Sequence, residues 1–151
     1  MAKFLWTAQQ NLGIEAIDQQ HRKIVDYINQ LDDAHCNGDP REEIASVISQ
    51  LIDYTQTHFA FEESMLEEAK YPDINAHKEV HNQFIQRVSD YQLRFNRGED
   101  IALELSSLLV IWLFNHIKRD DANYVKSVKA HHQEQQSGLL KKKGLFSRLF
   151  G

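Results

Sequence analysis

The chain has 151 residues, 42% hydrophobic and 26% charged, a size and balance that suit one globular domain with a real core and argue against disorder. Its net charge of −5 is uneven: residues 137–151 carry Lys141, Lys142, Lys143 and Arg148 with no acid, so +4 there leaves −9 on the remainder. An acidic body offers no basic face for phosphates, so no nucleic-acid partner is expected.

The opening stretch, MAKFLWTAQQNLGIEAID, has neither a sustained apolar run nor a small-residue cleavage pattern, and does not read as a signal peptide. No segment approaches the ~20 apolar residues that cross a bilayer. The single cysteine, Cys36, cannot form an internal disulfide, so a reducing, cytoplasmic setting is expected. Six Gly and two Pro are too sparse a punctuation for an all-β fold.

Three turn signals divide the chain. NGDP, residues 37–40, supplies a Gly stop, an Asp N-cap and a Pro for the first helical position. YPD at 71–73 and NRG at 96–98 are the second and third breaks. Between them lie four segments of helical periodicity. The first carries an apolar stripe of Ile14, Ile17, His21, Ile24, Ile28 and Leu31. The second carries Ile44, Ile48, Leu51, Thr55, His58, Glu62 and Met65. The third runs Ile74, His77, His81, Phe84, Val88, Tyr91, Phe95, and the fourth Leu105, Leu108 or Leu109, Trp112, His116. Alternating steps of three and four are those of bundle packing, and short connections make sequential helices antiparallel. The expected fold is therefore all-α, an up-down-up-down four-helix bundle with a short C-terminal extension. Residues 1–133 form the bundle domain and residues 134–151 a basic amphipathic tail.

Each stripe is interrupted by a residue type that binds transition metals. The interruptions come early in segments one and three and late in segments two and four. In an antiparallel bundle those positions share one end, so His21, His58, Glu62, His77, His81 and His116 should meet in one layer. Taken singly, each motif is weak. A His/Glu pair at i, i+4 is usually a solvated contact, surface His pairs like HKEVH at 77–81 are common, and a lone core His is usually hydrogen-bonded. Together they would lose hydration with nothing to offset it unless a cation sat among them. Six donors exceed one tetrahedral zinc, and the cysteine that structural zinc favours is missing. Imidazole with carboxylate suits iron, manganese or zinc in a two-metal site bridged by Glu62. HIKRDD at 116–121 offers a second carboxylate. Regular helical geometry prefers Asp120, one turn from His116, because Asp121 is rotated from it by about 140°. His35, His131, His132 and Cys36 fall outside the stripes.

With DQQH around His21, HFAFEE at 58–63, HKEVH and HIKRDD followed by Tyr124, residues 1 to about 130 closely resemble the hemerythrin family, in particular its single-domain bacterial members. The resemblance implies a non-haem di-iron centre, two iron ions with an oxo or hydroxo bridge. His77, His81 and His116 would hold one iron, His21 and His58 the other, and Glu62 and Asp121 would bridge them. It thus selects Asp121 over Asp120 and implies a local helix distortion. It also places Ile24, Phe59, Trp112, Leu113 and Ile117 around an apolar oxygen pocket, leaves a coordination position open, and makes the expected function reversible oxygen binding, for storage or for delivery to oxygen-requiring enzymes. Histidine-rich coordination leaves few carboxylates to stabilise high-valent iron, and a dry pocket withholds protons. A carrier rather than an enzyme is expected; a di-iron oxidase or ferroxidase, or an oxygen or iron sensor, is the alternative.

The tail lies outside the resemblance. On a helix Leu145, Phe146, Leu149 and Phe150 would share a face beside lysines, the pattern of an interfacial segment. Residues 138–151 are thus a candidate contact with a membrane surface or a membrane oxidase. No second apolar stripe stands out, and a monomer is expected.

Overall fold

The structure is a computed structural model that describes residues 3–150; Gly151 and the side chains of Phe146 and Phe150, part of the expected tail contact, lie outside the described residues. Five helices follow a short 3-10 turn at Ala8–Gln10: α1 (Glu15–Cys36), α2 (Arg41–Glu68), α3 (Ile74–Asn96), α4 (Ala102–His116) and α5 (Ala122–Phe150). A π-helical turn, Ile117–Asp121, joins α4 to α5, so the last two helices are one rod with a defect. No strand occurs among the described residues. The helix α1 packs against both α2 and α4, and α2 against α3, as the four antiparallel segments require.

Two of the three reversals between long helices use glycine where the backbone turns left-handed, and the third, between α2 and α3, uses Lys70 at φ +54. Gly38 has φ +69; its N–H bonds to the His35 carbonyl, and the Asp39 N–H reaches back to Ala34 at 2.9 Å. Gly98, φ +102, ends α3 in the same way, with the Glu99 N–H on Arg94. This closure satisfies carbonyls that a helix end leaves orphaned. It also corrects one expectation. Asp39 is not the N-cap of α2 and Pro40 is not its first helical residue. The Asp39 N–H is committed to finishing α1, and Pro40, extended at ψ 149, serves as N-cap through its carbonyl, which accepts from Glu43 and Ile44.

The stripes face inward with two adjustments. Met65 is only half-buried and its neighbour Leu66 takes the inner position; Leu109, not Leu108, is the buried member of its pair. Buried side chains then form two apolar clusters. The larger fills the long end of the bundle with Ile24, Ile28, Leu31, Leu51, Phe84, Leu105 and their neighbours. The smaller gathers Ile14, Ile17, Leu66, Tyr71, Tyr124 and Val128. Along each helix the metal-binding residue types fall between members of the two: Ile17 lies one turn before His21 and Ile24 one turn after. A polar layer is thereby sealed between two hydrophobic plugs.

The N-terminal arm runs along α1 from the level of Asn29 to that of Asp18, passing His21 at Trp6. Asp18, itself buried, accepts from the N–H groups of Leu12 (2.8 Å) and Gly13 (3.0 Å), and Asn29 holds both the N–H and the carbonyl of Phe4. Gly13 sits at φ +84, and a Cβ there would come within 2.7 Å of the Lys129 Nζ on α5. Beyond His131 the described side chains of α5 stand in solvent, and the helix crosses residues 133–134 without a break. Among the described residues no helix is long and apolar enough to cross a membrane.

Candidate metal centre

Seven side chains from α1 to α4 and the π turn meet in the sealed layer: His21 from α1, His58 and Glu62 from α2, His77 and His81 from α3, His116 from α4 and Asp121 from the π turn. None is more than 4% exposed. Their donor atoms form two groups, each with all members within 4.8 Å of one another: Glu62, His77, His81, His116 and Asp121 in one, His21, His58 and Glu62 in the other. Glu62 belongs to both.

The π turn decides which aspartate enters. In a regular helix Asp121 would face away from His116, but π hydrogen bonds link residues five apart and bring i and i+5 onto one face. The Ala122 N–H accordingly bonds to the Ile117 carbonyl. Asp121 turns fully inward, its Oδ1 3.1 Å from His116 Nε2, while Asp120 stays on the outer side and accepts from His116 Nδ1 at 2.8 Å. One imidazole is thus held between two consecutive aspartates, which no regular α-helix allows. The preference of ideal geometry for Asp120 as the inward carboxylate is overturned by this local defect.

The outer ring nitrogens are anchored. His58 Nδ1 faces Gln20 Oε1 at 2.6 Å, and His81 Nδ1 faces Glu63 Oε1 at 2.9 Å. With His116 Nδ1 on Asp120, three rings turn Nδ1 outward to an acceptor and Nε2 inward, the orientation a metal ligand needs. Aromatic rings lock two of them: Phe59 stacks on His81 at 3.7 Å, and Trp112 stacks on both His116 (4.4 Å) and Phe84 (3.7 Å). On the carboxylate side, the Tyr124 hydroxyl donates to Glu62 Oε2 at 3.0 Å.

The inner atoms are poorly satisfied by one another. His21 Nδ1 and Nε2, His58 Nε2 and both oxygens of Asp121 have no hydrogen-bond partner, although His21 Nε2 lies 3.2 Å from Asp121 Oδ2. His81 Nε2 and His116 Nε2 face each other at 3.1 Å, and two lone pairs tolerate that approach only with a proton or a metal cation between them. Such a concentration of unpartnered buried donors is costly in a protein interior. Nitrogen and carboxylate oxygen without thiolate is the donor set of iron, manganese or zinc rather than of calcium or of structural zinc. The residues present fit a bound metal.

Charge is arranged to the same end. Burial and the neighbouring Asp121 push the Glu62 carboxyl upward, but hydrogen bonds from His77 and His81 prevail and hold it at about 2. Asp121 is likewise held well below its ordinary value against burial, by the facing nitrogens of His116, His21 and His77. Burial drives His58 down to about 4, keeping it neutral. His77 goes the other way, to about 10, because Asp121 and Glu62 outweigh its desolvation, and His116 is raised for the same reason by Asp121. Burial, reinforced by Glu62, pushes the Tyr124 phenol far up, so it remains a donor. Two buried anions thus retain protons on the histidines facing them, and a metal would take the place of those protons.

Of the five expected pocket residues, Ile24, Phe59, Leu113 and Ile117 are buried and Trp112 is half-buried. Trp112 and Phe59 rest against the three-histidine group, and Trp112 with His116 floors a surface cleft of about 440 Å³ bounded by Arg87, Arg119 and Asp120. His35, Cys36 and His132 lie outside the cluster. The anchors Gln20 and Glu63 were not anticipated. Their only sequence signal is position, Gln20 immediately before a ligand-type residue in DQQH and Glu63 immediately after one in HFAFEE.

Comparison with known proteins agrees with this geometry. The family model described as hemerythrin HHE cation binding domain matches residues 12–134. A bacteriohemerythrin of Stenotrophomonas maltophilia (strain R551-3) is 49% identical over 142 residues, covering 91% of this chain and 92% of that protein. One of Pseudomonas aeruginosa (strain LESB58) is 51% identical over 129 residues, 85% of this chain and 84% of its own. A crystal structure of wild-type hemerythrin superposes with a TM-score of 0.79 at 32% identity, covering 84% of this chain and 98% of that one. Sequence and architecture coincide over most of the chain, and the chain belongs to the hemerythrin family.

Proposed function

We propose that the buried layer holds two non-haem iron ions and that the chain reversibly binds molecular oxygen, for storage or delivery rather than for turnover. The observation that carries the reading is the division of seven buried donors into two groups with Glu62 in common, many of their inner atoms lacking any partner within the protein. On this reading His77, His81 and His116 would hold one iron and His21 and His58 the other, with Glu62 and Asp121 as the carboxylates available to the pair. When bound, a ferrous pair supplies an open coordination position and two electrons for reversible oxygen capture.

The protein's own part is orientation and exclusion. Gln20, Glu63 and Asp120 fix the rings from behind, at 2.6, 2.9 and 2.8 Å. Tyr124 holds its proton on Glu62 Oε2, steadying the carboxylate without surrendering the proton, since its acidity is suppressed by burial. With fewer histidines, the His21/His58 side would be the one that leaves room for a ligand. Ile24, Phe59, Leu113 and Ile117, each at most 4% exposed, exclude water and bring no proton donor. A dry site without acids disfavours loss of the captured oxygen as a reduced product.

The test is optical. Iron(II)-loaded protein prepared without oxygen should develop a visible charge-transfer band on exposure to oxygen, and the band should bleach when oxygen is removed. Direct conversion to the ferric protein with release of hydrogen peroxide would replace the carrier with an oxidase.

A further inference from the structure

The exposed end of α5 is a part of the molecule that the metal centre does not use. The family match stops at residue 134, and past His131 the described side chains touch solvent only. From 132 to 150 the helix extends about 28 Å, at 1.5 Å per residue. It carries Leu139, Leu140, Leu145 and Leu149 at 59–71% exposure, interleaved with Lys141, Lys142, Lys143 and Arg148 and with no acid from 137 onward. Leucines left in water on an isolated helix contribute nothing to folding, and Gly138 and Gly144 weaken that helix further.

We propose that this end of α5 is a docking helix for an anionic lipid surface, holding the acidic bundle at a distance from it. On a helical wheel Leu145 and Leu149 lie one turn apart with Leu139 on the same side. Lys141 and Arg148 flank one edge of that arc and Lys143 the other, and Lys142 lies within it. Long lysine stems can lie along acyl chains and raise their ammonium groups to the headgroups. Charge selects the surface and the orientation together, because the +4 segment is attracted to anionic headgroups while the −9 body is repelled. A second copy of the chain fits less well. A coiled-coil seam continued from Val128 in steps of three and four would pass through His131, Gln135, Gly138 and Lys142 before reaching Leu145, and polar residues or glycine at most seam positions do not zip.

Co-sedimentation of the full iron-loaded chain with phosphatidylglycerol vesicles, against phosphatidylcholine vesicles, tests this. The chain should partition onto the first and not the second, and weaken as salt shortens the Debye length to about 3 Å near 1 M. Lys141→Glu/Lys142→Glu/Lys143→Glu should lower partition by at least about 100-fold, each lysine contributing roughly fivefold. Leu145→Ser/Leu149→Ser should lower it by about tenfold or more. Neither variant touches the bundle, and unchanged iron content and helical circular dichroism of the bundle control for folding. Equal partition onto both vesicle types, absence of binding, or indifference to the charge reversal would overturn the proposal. So would a dimer in ultracentrifugation that Leu145→Ser/Leu149→Ser dissolves.

Discussion

The two halves of the buried layer are built differently. The three-histidine group is braced by charge and by stacking: Glu63 and Asp120 grip His81 and His116 from behind, while Phe59 and Trp112 lie flat against the same rings. The two-histidine group has a neutral amide, Gln20, behind His58, and nothing hydrogen-bonded to either nitrogen of His21. A braced half and a spare half sharing one carboxylate are what a centre needs if one metal stays saturated and the other admits a ligand. The difference lies in the outer partners as much as in the donor count, since those partners set ring orientation and basicity.

The harshest way to break the comparison is at the residue both halves share. Glu62→Ala should lower iron retained after dialysis from two per chain to nearly none, read by metal analysis with circular dichroism as a folding control. Retention of one iron would make the halves independent. Next come the braces. Glu63→Gln and Asp120→Asn should each weaken metal affinity by about 10–100-fold, as loss of an outer partner typically does. Gln20→Ala should cost less, several-fold, because a neutral partner is roughly half as strong as a charged one. If Gln20→Ala proved the more damaging change, the assignment of the braced and spare halves would be reversed.

The metal-free protein should show the same division through pH. His77, in the braced half, rises from 6.5 to about 10 on folding, so its stabilisation is fully present below 6.5 and lost as pH climbs through about 10. His58, in the spare half, falls from 6.5 to about 4, so the unfolded chain takes up the proton first and stability is lost as pH drops from 6.5 towards 4. Glu62, lowered from 4.5 to about 2, adds stability above 4.5 that disappears as pH falls through 2. Denaturation of the metal-free protein should therefore show greatest stability near pH 6.5. His77→Gln should flatten the alkaline limb most and weaken the acid limb as well, because His77 also holds Glu62 down. The smallest effect is in the uptake itself: because His77 must give up its proton to bind, iron(II) loading at pH 7 should release protons, measurable as a buffer-dependent heat.

The bundle was legible because its signals repeat. Stripes such as Ile14, Ile17, Ile24, Ile28, Leu31 recur on four segments, and Gly38 and Gly98 end helices where the turn motifs predict. Convergence of five histidines and Glu62 followed from antiparallel arithmetic alone. The second carboxylate did not. Choosing between Asp120 and Asp121 depends on one π turn, a defect of a few backbone hydrogen bonds with no distinctive residue to announce it, and regular geometry selected the outer one. Gln20 and Glu63 were unreadable for a related reason: a side chain that braces a ring from another helix leaves no periodicity in its own. The one-residue shift at Asp39 and Pro40 arose because the carbonyl of Pro40, extended at ψ 149, accepts the first N–H groups of α2.

The central claim is that the sealed layer holds a metal pair and not a single ion. Anaerobic titration of the metal-free chain with iron(II), followed by gel filtration and iron analysis, measures this most directly. The account predicts two irons per folded chain; a plateau at one or below would contradict it.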